Sequence, residues 1–118
     1  MASADTFNIF IYGKGGHVAM PNLTVDPIVT SSRFVNKSQI IASREINPSN
    51  TAVISICSFQ LGNSANVIPS SAHLQGTAQT FNNKLREEFP GCIERILAGT
   101  CETMCSTYEL HYGHTSNN

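Results

Sequence analysis

Two kinds of hydrophobic periodicity alternate along this chain, and their order restricts the fold more than any other feature. Phe7, Ile9 and Ile11 occupy every second position of the first apolar segment, which places them on one face of a β-strand. A later segment alternates in the same way, with small or apolar residues on one face and polar residues on the other. This alternation, or a high content of β-branched residues, predicts strands at residues 6–12, 51–61, 72–81 and 108–112.

Two longer segments have the apolar spacing of helices. The first is predicted over residues 26–44, because Asp26 is a good N-cap and Pro27 suits the first helical position. The second is predicted over about residues 83–107. Pro90, which a glycine follows, is expected to kink this helix or to restart it.

The predicted elements follow in the order β-α-β-β-α-β. Elements in this order form a ferredoxin-like sandwich of the α+β class, in which a four-stranded antiparallel sheet carries two helices on one face. The second strand is then expected at an edge of the sheet. The face turned away from the helices carries His73, Gln75, Thr77 and Gln79 and is expected to be polar. A chain of 118 residues has the length of one such domain.

Charge and composition argue against several classes of function. With 7 basic and 8 acidic residues, the chain lacks the basic surface of a nucleic-acid-binding protein. No apolar run approaches the length of a membrane span. Residues 1–5 have neither the basic stretch nor the apolar region of a signal peptide, so none is expected.

The four cysteines, Cys57, Cys92, Cys101 and Cys105, form no C-x-x-C pair. Buried thiols that pack as small apolar residues are therefore favoured over a zinc ribbon or a disulfide framework. Cys101 and Cys105 are four residues apart, a spacing at which two side chains can face the same side of a helix. Free thiols are typical of a reducing compartment, and a cytoplasmic location is expected.

The strongest functional signal lies in two strings of residues. The first is Gly13-Lys14-Gly15-Gly16-His17-Val18-Ala19-Met20-Pro21, and the second is Asn66-Val67-Ile68-Pro69, within the long connection of residues 62–71. Together with Thr24-Val25-Asp26-Pro27 and Ser43-Arg44-Glu45, they resemble the small lid, or dimerisation, domain of the zinc-dependent aminoacylase and carboxypeptidase family. That family includes hippurate hydrolases and indole-acetyl-amino-acid hydrolases. The resemblance extends over about residues 4 to 112.

The resemblance implies that residues 1–118 are the lid of a larger enzyme whose catalytic domain lies outside this chain. The parent enzyme would hydrolyse an N-acyl amino acid, a peptide or a similar amide, with two zinc ions held by its catalytic domain. The lid alone would hold no metal and would not catalyse the reaction. Lids of this family pair as homodimers, and here the second strand and the first helix are expected to form the contact.

Three residues receive roles from the resemblance. His17 matches the histidine that reaches the neighbouring subunit's active site and stabilises the tetrahedral intermediate, a role suited to an imidazole N–H donor. Asn66 matches an asparagine that binds the substrate's carboxylate or carbonyl. Gln79 stands where many relatives have an arginine that holds the substrate carboxylate, and glutamine lacks that charged two-pronged donor. From the residues alone, each could instead be an ordinary loop or strand residue.

Other chemistry fits the residues less well. The Gly13-Lys14-Gly15-Gly16 turn does not match a nucleotide-binding phosphate loop. The histidines and aspartates form no evident set of three convergent zinc ligands. A free-standing ferredoxin-like module that binds a small regulatory molecule remains the alternative. RNA binding by such a module is not favoured, because the strand from Leu74 to Phe81 lacks the aromatic motif of RNA-recognition sheets.

Overall fold

The computed structural model describes residues 3–13, 16–17, 25–40, 52–60, 67–68 and 70–114. Four long strands and two helices follow in the predicted order, and two strands of two residues each lie within the connections that carry the sequence motifs. The elements are β1 (Ser3–Tyr12), β2 (Gly16–His17), α1 (Pro27–Ile40), β3 (Ala52–Gln60), β4 (Val67–Ile68), β5 (Ser71–Thr80), α2 (Asn83–Thr103) and β6 (Thr107–His114).

The long strands form one antiparallel sheet in the order β3-β5-β1-β6. β3, the second of the predicted strands, lies at one edge of this sheet, as expected, and β6 lies at the other. The alternation of β5 is regular, since Leu74 and Ala78 are buried whereas Gln75 and Gln79 are exposed. The predicted α+β class and the β-α-β-β-α-β topology of the long elements are confirmed.

The hydrophobic core lies between the helices and one face of the sheet. Phe7 and Ile9 of β1 belong to the same buried cluster as Phe34 of α1 and Phe89 of α2. None of these four side chains has exposed surface. Burying one apolar side chain of this size contributes about 1.5–3 kcal/mol. Both helices therefore cover one face, and the opposite face of the sheet stays open.

Gly76 leaves the space that the centre of this core requires. It is the register partner of Phe7 in the β1–β5 pair. A Cβ atom on Gly76 would overlap the Phe7 ring and would lie 2.6 Å from the carbonyl oxygen of Ser55. The missing side chain therefore lets the Phe7 ring pack directly against the β5 backbone.

α2 is one uninterrupted helix, so of the two expected outcomes at Pro90, a kink or a restart, the restart does not occur. Pro90 lies inside the helix, where it lacks the N–H group that would bond to the preceding turn. Phe89 and Ile93, on either side of the proline, are fully buried. Packing of both halves of the helix against the sheet therefore outweighs the missing hydrogen bond.

The C-terminal end of α2 also differs from the prediction, because the helix ends at residue 103 rather than at about 107. Cys105 has a φ of 58°, the left-handed conformation that often follows a helix. The Ser106 N–H then donates to the Cys101 carbonyl oxygen at 2.8 Å. Cys101 is buried within the helix and Cys105 is exposed beyond it, so the two thiols do not share a helix side. Of the other two cysteines, Cys57 is exposed and Cys92 is half-buried. The interpretation of all four cysteines as buried thiols is therefore wrong.

The start of α1 agrees with the prediction. Asp26 Oδ1 accepts a hydrogen bond from the Ile28 N–H at 2.8 Å, as an N-cap does, and Pro27 is the first helical residue. The helix is described as far as Ile40. Its predicted continuation over residues 41–44 lies outside the described residues.

Candidate functional site

β2 and β4 form a two-stranded antiparallel ribbon, separate from the main sheet. Its two pairs join Gly16 to Ile68 and His17 to Val67. β1 leads into β2, and β4 leads into β5, so the ribbon prolongs the central β1–β5 pair of the sheet beyond its end. The sequence had indicated only turns at these positions, because strands of two residues carry no detectable periodicity.

The ribbon brings the two sequence motifs side by side. His17 belongs to the first motif, and its register partner Val67 directly follows Asn66 in the second. Asn66 lies outside the described residues, and His17 is described through its backbone pairing. Of the predicted site residues, His17 therefore belongs to the end of the domain that carries the ribbon.

Gln79 lies at the other end of the sheet. On β5 it pairs with Ala4 of β1 and with Val53 of β3, and its side chain is exposed on the open face. It follows Ser71, the first residue of β5, by eight positions, or about 27 Å at 3.4 Å per strand residue. Gln79 and the ribbon therefore cannot contact the same small substrate within one chain.

The open face of the sheet carries an aromatic cluster that the sequence predictions did not identify. The Phe10 ring stacks on the His73 imidazole with centroids 4.4 Å apart, and His111 approaches the Phe10 ring edge-on at 6.0 Å. His73 Nε2 also lies 2.9 Å from Asn8 Oδ1. This face is therefore partly aromatic, although the sequence predicted a polar surface. Strand alternation places Phe10 there, but only the pairing of three strands brings both imidazoles to it.

A buried ion network lies at the end of the sheet opposite the ribbon. The Asp5 side chain has no exposed surface, and its Oδ1 accepts hydrogen bonds from Arg86 Nη2 at 2.7 Å and Nε at 3.0 Å. Asp5 Oδ2 lies 3.1 Å from both the Tyr112 hydroxyl and His114 Nδ1. Hydrogen bonding to Asp5 raises the pKa of Arg86, and burial, together with the Asp5 charge, raises the pKa of Tyr112. The network fastens the start of β1, the end of β6 and the first turns of α2 to one another.

An open cleft of about 420 Å³ lies beside this network and is lined by Asn83, Arg86, Glu87 and His114. None of the three predicted site residues lines this cleft. In the part of the chain that the structure describes, no group of three or more His, Cys, Asp or Glu side chains could hold a metal ion. No described helix is both long and apolar enough to cross a membrane.

The two-layer sandwich has counterparts among known proteins. The peptidase dimerisation domain family matches residues 3–102. The chain belongs to this family. The resemblance inferred from the two motifs is thereby confirmed, and the alternative of a free-standing regulatory module is not supported.

Relatives of known activity agree with this assignment. The chain is 40% identical over 114 residues to an N-acyl-L-amino acid amidohydrolase of Geobacillus stearothermophilus, covering 97% of this chain and 31% of the relative. It is 41% identical over 99 residues to an N-acetylcysteine deacetylase of Bacillus subtilis, covering 84% of this chain and 26% of the relative.

A solved structure points the same way. A dinuclear metal-binding peptidase of the M20 family from Bacillus subtilis superimposes with a TM-score of 0.75 at 30% identity, covering 97% of this chain and 26% of that protein. This chain therefore spans less than a third of the length of each of these proteins. It is the dimerisation domain of a family of amidohydrolases and peptidases.

Proposed function

We propose that this domain serves a dinuclear-zinc amidohydrolase that cleaves N-acyl amino acids, peptides or similar amides. In this proposal the domain pairs with a second copy and delivers His17 to the partner subunit's active site. The observation that carries the proposal is the β2–β4 ribbon, which extends beyond the sheet and places His17 beside the residue that follows Asn66. The activities of the amidohydrolase and deacetylase relatives support the substrate class.

The proposed chemistry of the domain is that of a hydrogen-bond donor. The His17 imidazole N–H donates to the oxyanion that develops on the substrate carbonyl, and the bond strengthens as the negative charge grows. Asn66 binds the substrate's carboxylate or carbonyl through its side-chain amide. The zinc ions, held by the catalytic part of the parent enzyme, supply Lewis acidity and activate water when bound. The described residues of this domain offer no fitting metal ligands, and the domain alone is proposed to hydrolyse no acyl amino acid.

Gln79 constrains how the active site is assembled. A substrate of amino-acid size cannot bridge the roughly 27 Å that separates Gln79 from the start of β5 and the ribbon beyond it. If Gln79 and a ribbon contact the same substrate, they must come from different subunits. An uncharged amide at this position also gives a weaker carboxylate clamp than an arginine.

The dimer contact is proposed at β3 and α1. β3 contains no charged residue, whereas β6, the other edge of the sheet, carries the exposed Glu109. Charged side chains are a common means of preventing unwanted pairing at an edge strand, so their absence from β3 favours pairing there. Val53 and Phe59 of β3 and Val29 of α1 are 47%, 38% and 40% exposed, and a two-fold contact through this edge would cover them.

The role of His17 is tested in the full-length enzyme that contains this domain. His17→Ala should lower kcat roughly a hundredfold to a thousandfold, the usual cost of losing one oxyanion donor, with a much smaller change in KM. His111→Ala is the matched control, because His111 is an exposed histidine on β6, outside the ribbon. A kcat loss of less than about tenfold for His17→Ala, or an equal loss in the control, would contradict the proposed role.

The dimer contact is tested with the 118-residue chain by sedimentation at several concentrations. Val53→Lys places a charge on the β3 edge and should weaken the dimer at least about tenfold. Thr107→Lys places the same charge on the exposed start of β6 and should leave dimerisation unchanged. Equal effects of the two substitutions, or a chain that stays monomeric at every concentration, would count against pairing through β3.

A further inference from the structure

The ribbon joins the sheet at Gly13. This residue follows the last register pair of β1 with β5 and precedes the ribbon. Its N–H donates to the Ser70 carbonyl oxygen at 2.9 Å, which ties the outgoing strand to the returning one. Gly13 and Ser70 are therefore the last residues of the β1–β5 pair that the structure describes before the ribbon.

Gly13 is in contact with the entrance of α1, which consists of Val25, Asp26 and Pro27. A Cβ atom on Gly13 would overlap the Val25 carbonyl oxygen and would lie 2.9 Å from Pro27 Cδ. None of the glycines that the structure describes has a positive φ, so this position does not need glycine for its backbone conformation. It needs glycine because the α1 entrance occupies the space of a side chain.

The α1 entrance is held firmly and cannot easily yield. Asp26 caps the helix through the Ile28 N–H at 2.8 Å. The Thr30 hydroxyl contacts the Asp26 carbonyl oxygen at 3.2 Å and the Ser106 hydroxyl at 2.8 Å, which anchors this turn to the segment between α2 and β6. The Pro27 ring is itself buried. A side chain added at Gly13 must therefore displace the chain where it leaves β1 toward the ribbon, rather than the helix.

We propose that Gly13 is a positioning residue for His17, because its close contact with the α1 entrance fixes the direction of the ribbon. This inference rests on the proposed role of His17. A displacement on the order of 1 Å is enough to cost a positioned catalytic group roughly a hundredfold in rate. α1 is also part of the proposed dimer contact. In this proposal the same helix therefore contributes to the pairing of subunits and to the direction of the ribbon.

The test is a double-mutant cycle in the full-length enzyme with Gly13→Ala, His17→Ala and the combined variant. Gly13→Ala should lower kcat roughly tenfold to a hundredfold with little change in KM. In the His17→Ala background the same substitution should cause no further loss, because the group that Gly13 positions is already absent. Gly99→Ala is the control: a Cβ atom there meets nothing within 4 Å, and kcat should stay unchanged.

Pro27→Ala provides a second route if Gly13→Ala prevents folding. It removes the ring that packs on Gly13 without adding bulk, and it should lower kcat only while His17 is present. Losses that multiply with the His17→Ala loss, or an unchanged kcat in both the Gly13 and Pro27 variants, would overturn the inference while leaving the role of His17 intact. A His17→Ala enzyme with full activity would overturn the proposed function and this inference together.

Discussion

Replacing Asp5 by asparagine should destabilise the domain more than any other single change of charge at its described residues. The carboxylate is fully buried and accepts hydrogen bonds from Arg86, at 2.7 and 3.0 Å, and from Tyr112, at 3.1 Å. Asparagine keeps the shape but leaves the guanidinium without its counter-charge and turns an NH₂ group toward these donors. Removing one partner of a buried ion pair costs about 3–5 kcal/mol. The Arg86 side chain is 15% exposed and water reaches it in part, so we expect a loss at the lower end, about 3 kcal/mol.

Urea unfolding followed by far-UV circular dichroism measures this loss, since the chain has no tryptophan to serve as a fluorescence probe. With a urea dependence of about 1.5–2 kcal/mol/M, the unfolding midpoint should fall by about 1.5–2 M. Tyr112→Phe removes a single hydrogen bond to the carboxylate and should cost about 1.5 kcal/mol.

Asp26→Asn is the matched control for this substitution, because asparagine caps a helix as well as aspartate does, and its cost should be near zero. A loss below about 1 kcal/mol for Asp5→Asn, or an equal loss at Asp26, would refute the argument that the buried network stabilises this end of the sheet.

Three further predictions concern packing, pH and subunit contact. Gly76→Ala should cost about 1–3 kcal/mol in urea unfolding because its Cβ has no room, whereas Gly99→Ala, in open space on α2, should gain about 0.5–1 kcal/mol. Burial raises the pKa of the Cys101 thiol from 9.0 to about 11, so the folded state keeps a proton that the unfolded chain loses. Stability should therefore fall as the pH rises through this interval, and Cys101→Ala should make that fall shallower in unfolding curves taken between pH 8 and 11. If two β3 strands pair, a short bismaleimide should cross-link subunits through the exposed Cys57; the product should persist in Cys105→Ser and disappear in Cys57→Ser, and a product that depends on Cys105 would argue against this contact.

The sheet and core could be predicted from sequence because strand alternation is local and regular. The period of two in residues 72–81 identified the buried and exposed faces of β5 correctly. The order of elements then left few topologies, and the edge position of β3 followed from it. Helix ends were predicted less well: packing of Phe89 and Ile93 carries α2 through Pro90, and such tertiary contacts are not visible in a local pattern.

The polar network was missed because its members are far apart in sequence. Asp5 bonds to residues 81, 107 and 109 positions away, so no local motif connects them. One signal was available, since Asp5 has the same strand parity as Phe7 and Ile9 and therefore had to face the core. A buried carboxylate on that face requires partners, although only the fold identifies them.

The residues of the candidate site stay a prediction, and their arrangement was not visible in the sequence. The Gly-Gly-His and Asn-Val-Ile-Pro strings identified His17 and Asn66 through their resemblance to a family, and the family match of residues 3–102 confirms the resemblance. The ribbon that brings the strings together depends on pairing between residues that lie far apart in sequence, such as Gly16 and Ile68. Gln79 is far from the ribbon because β5 runs away from it along the sheet. A short sequence motif does not show this direction.

His17 is proposed to act in the active site of the neighbouring subunit, and mixing two inactive enzymes tests this role most directly. One full-length variant carries His17→Ala, and the other keeps His17 but has a disabled metal-site carboxylate in its catalytic domain. After subunit exchange, verified with differently tagged chains, each mixed dimer contains one intact metal centre that faces an intact His17. Random exchange of equal amounts should therefore restore about a quarter of wild-type activity, because half of the two-fold dimers are mixed and each has one competent site. Verified exchange without any return of activity would show that His17 does not act across the subunit interface.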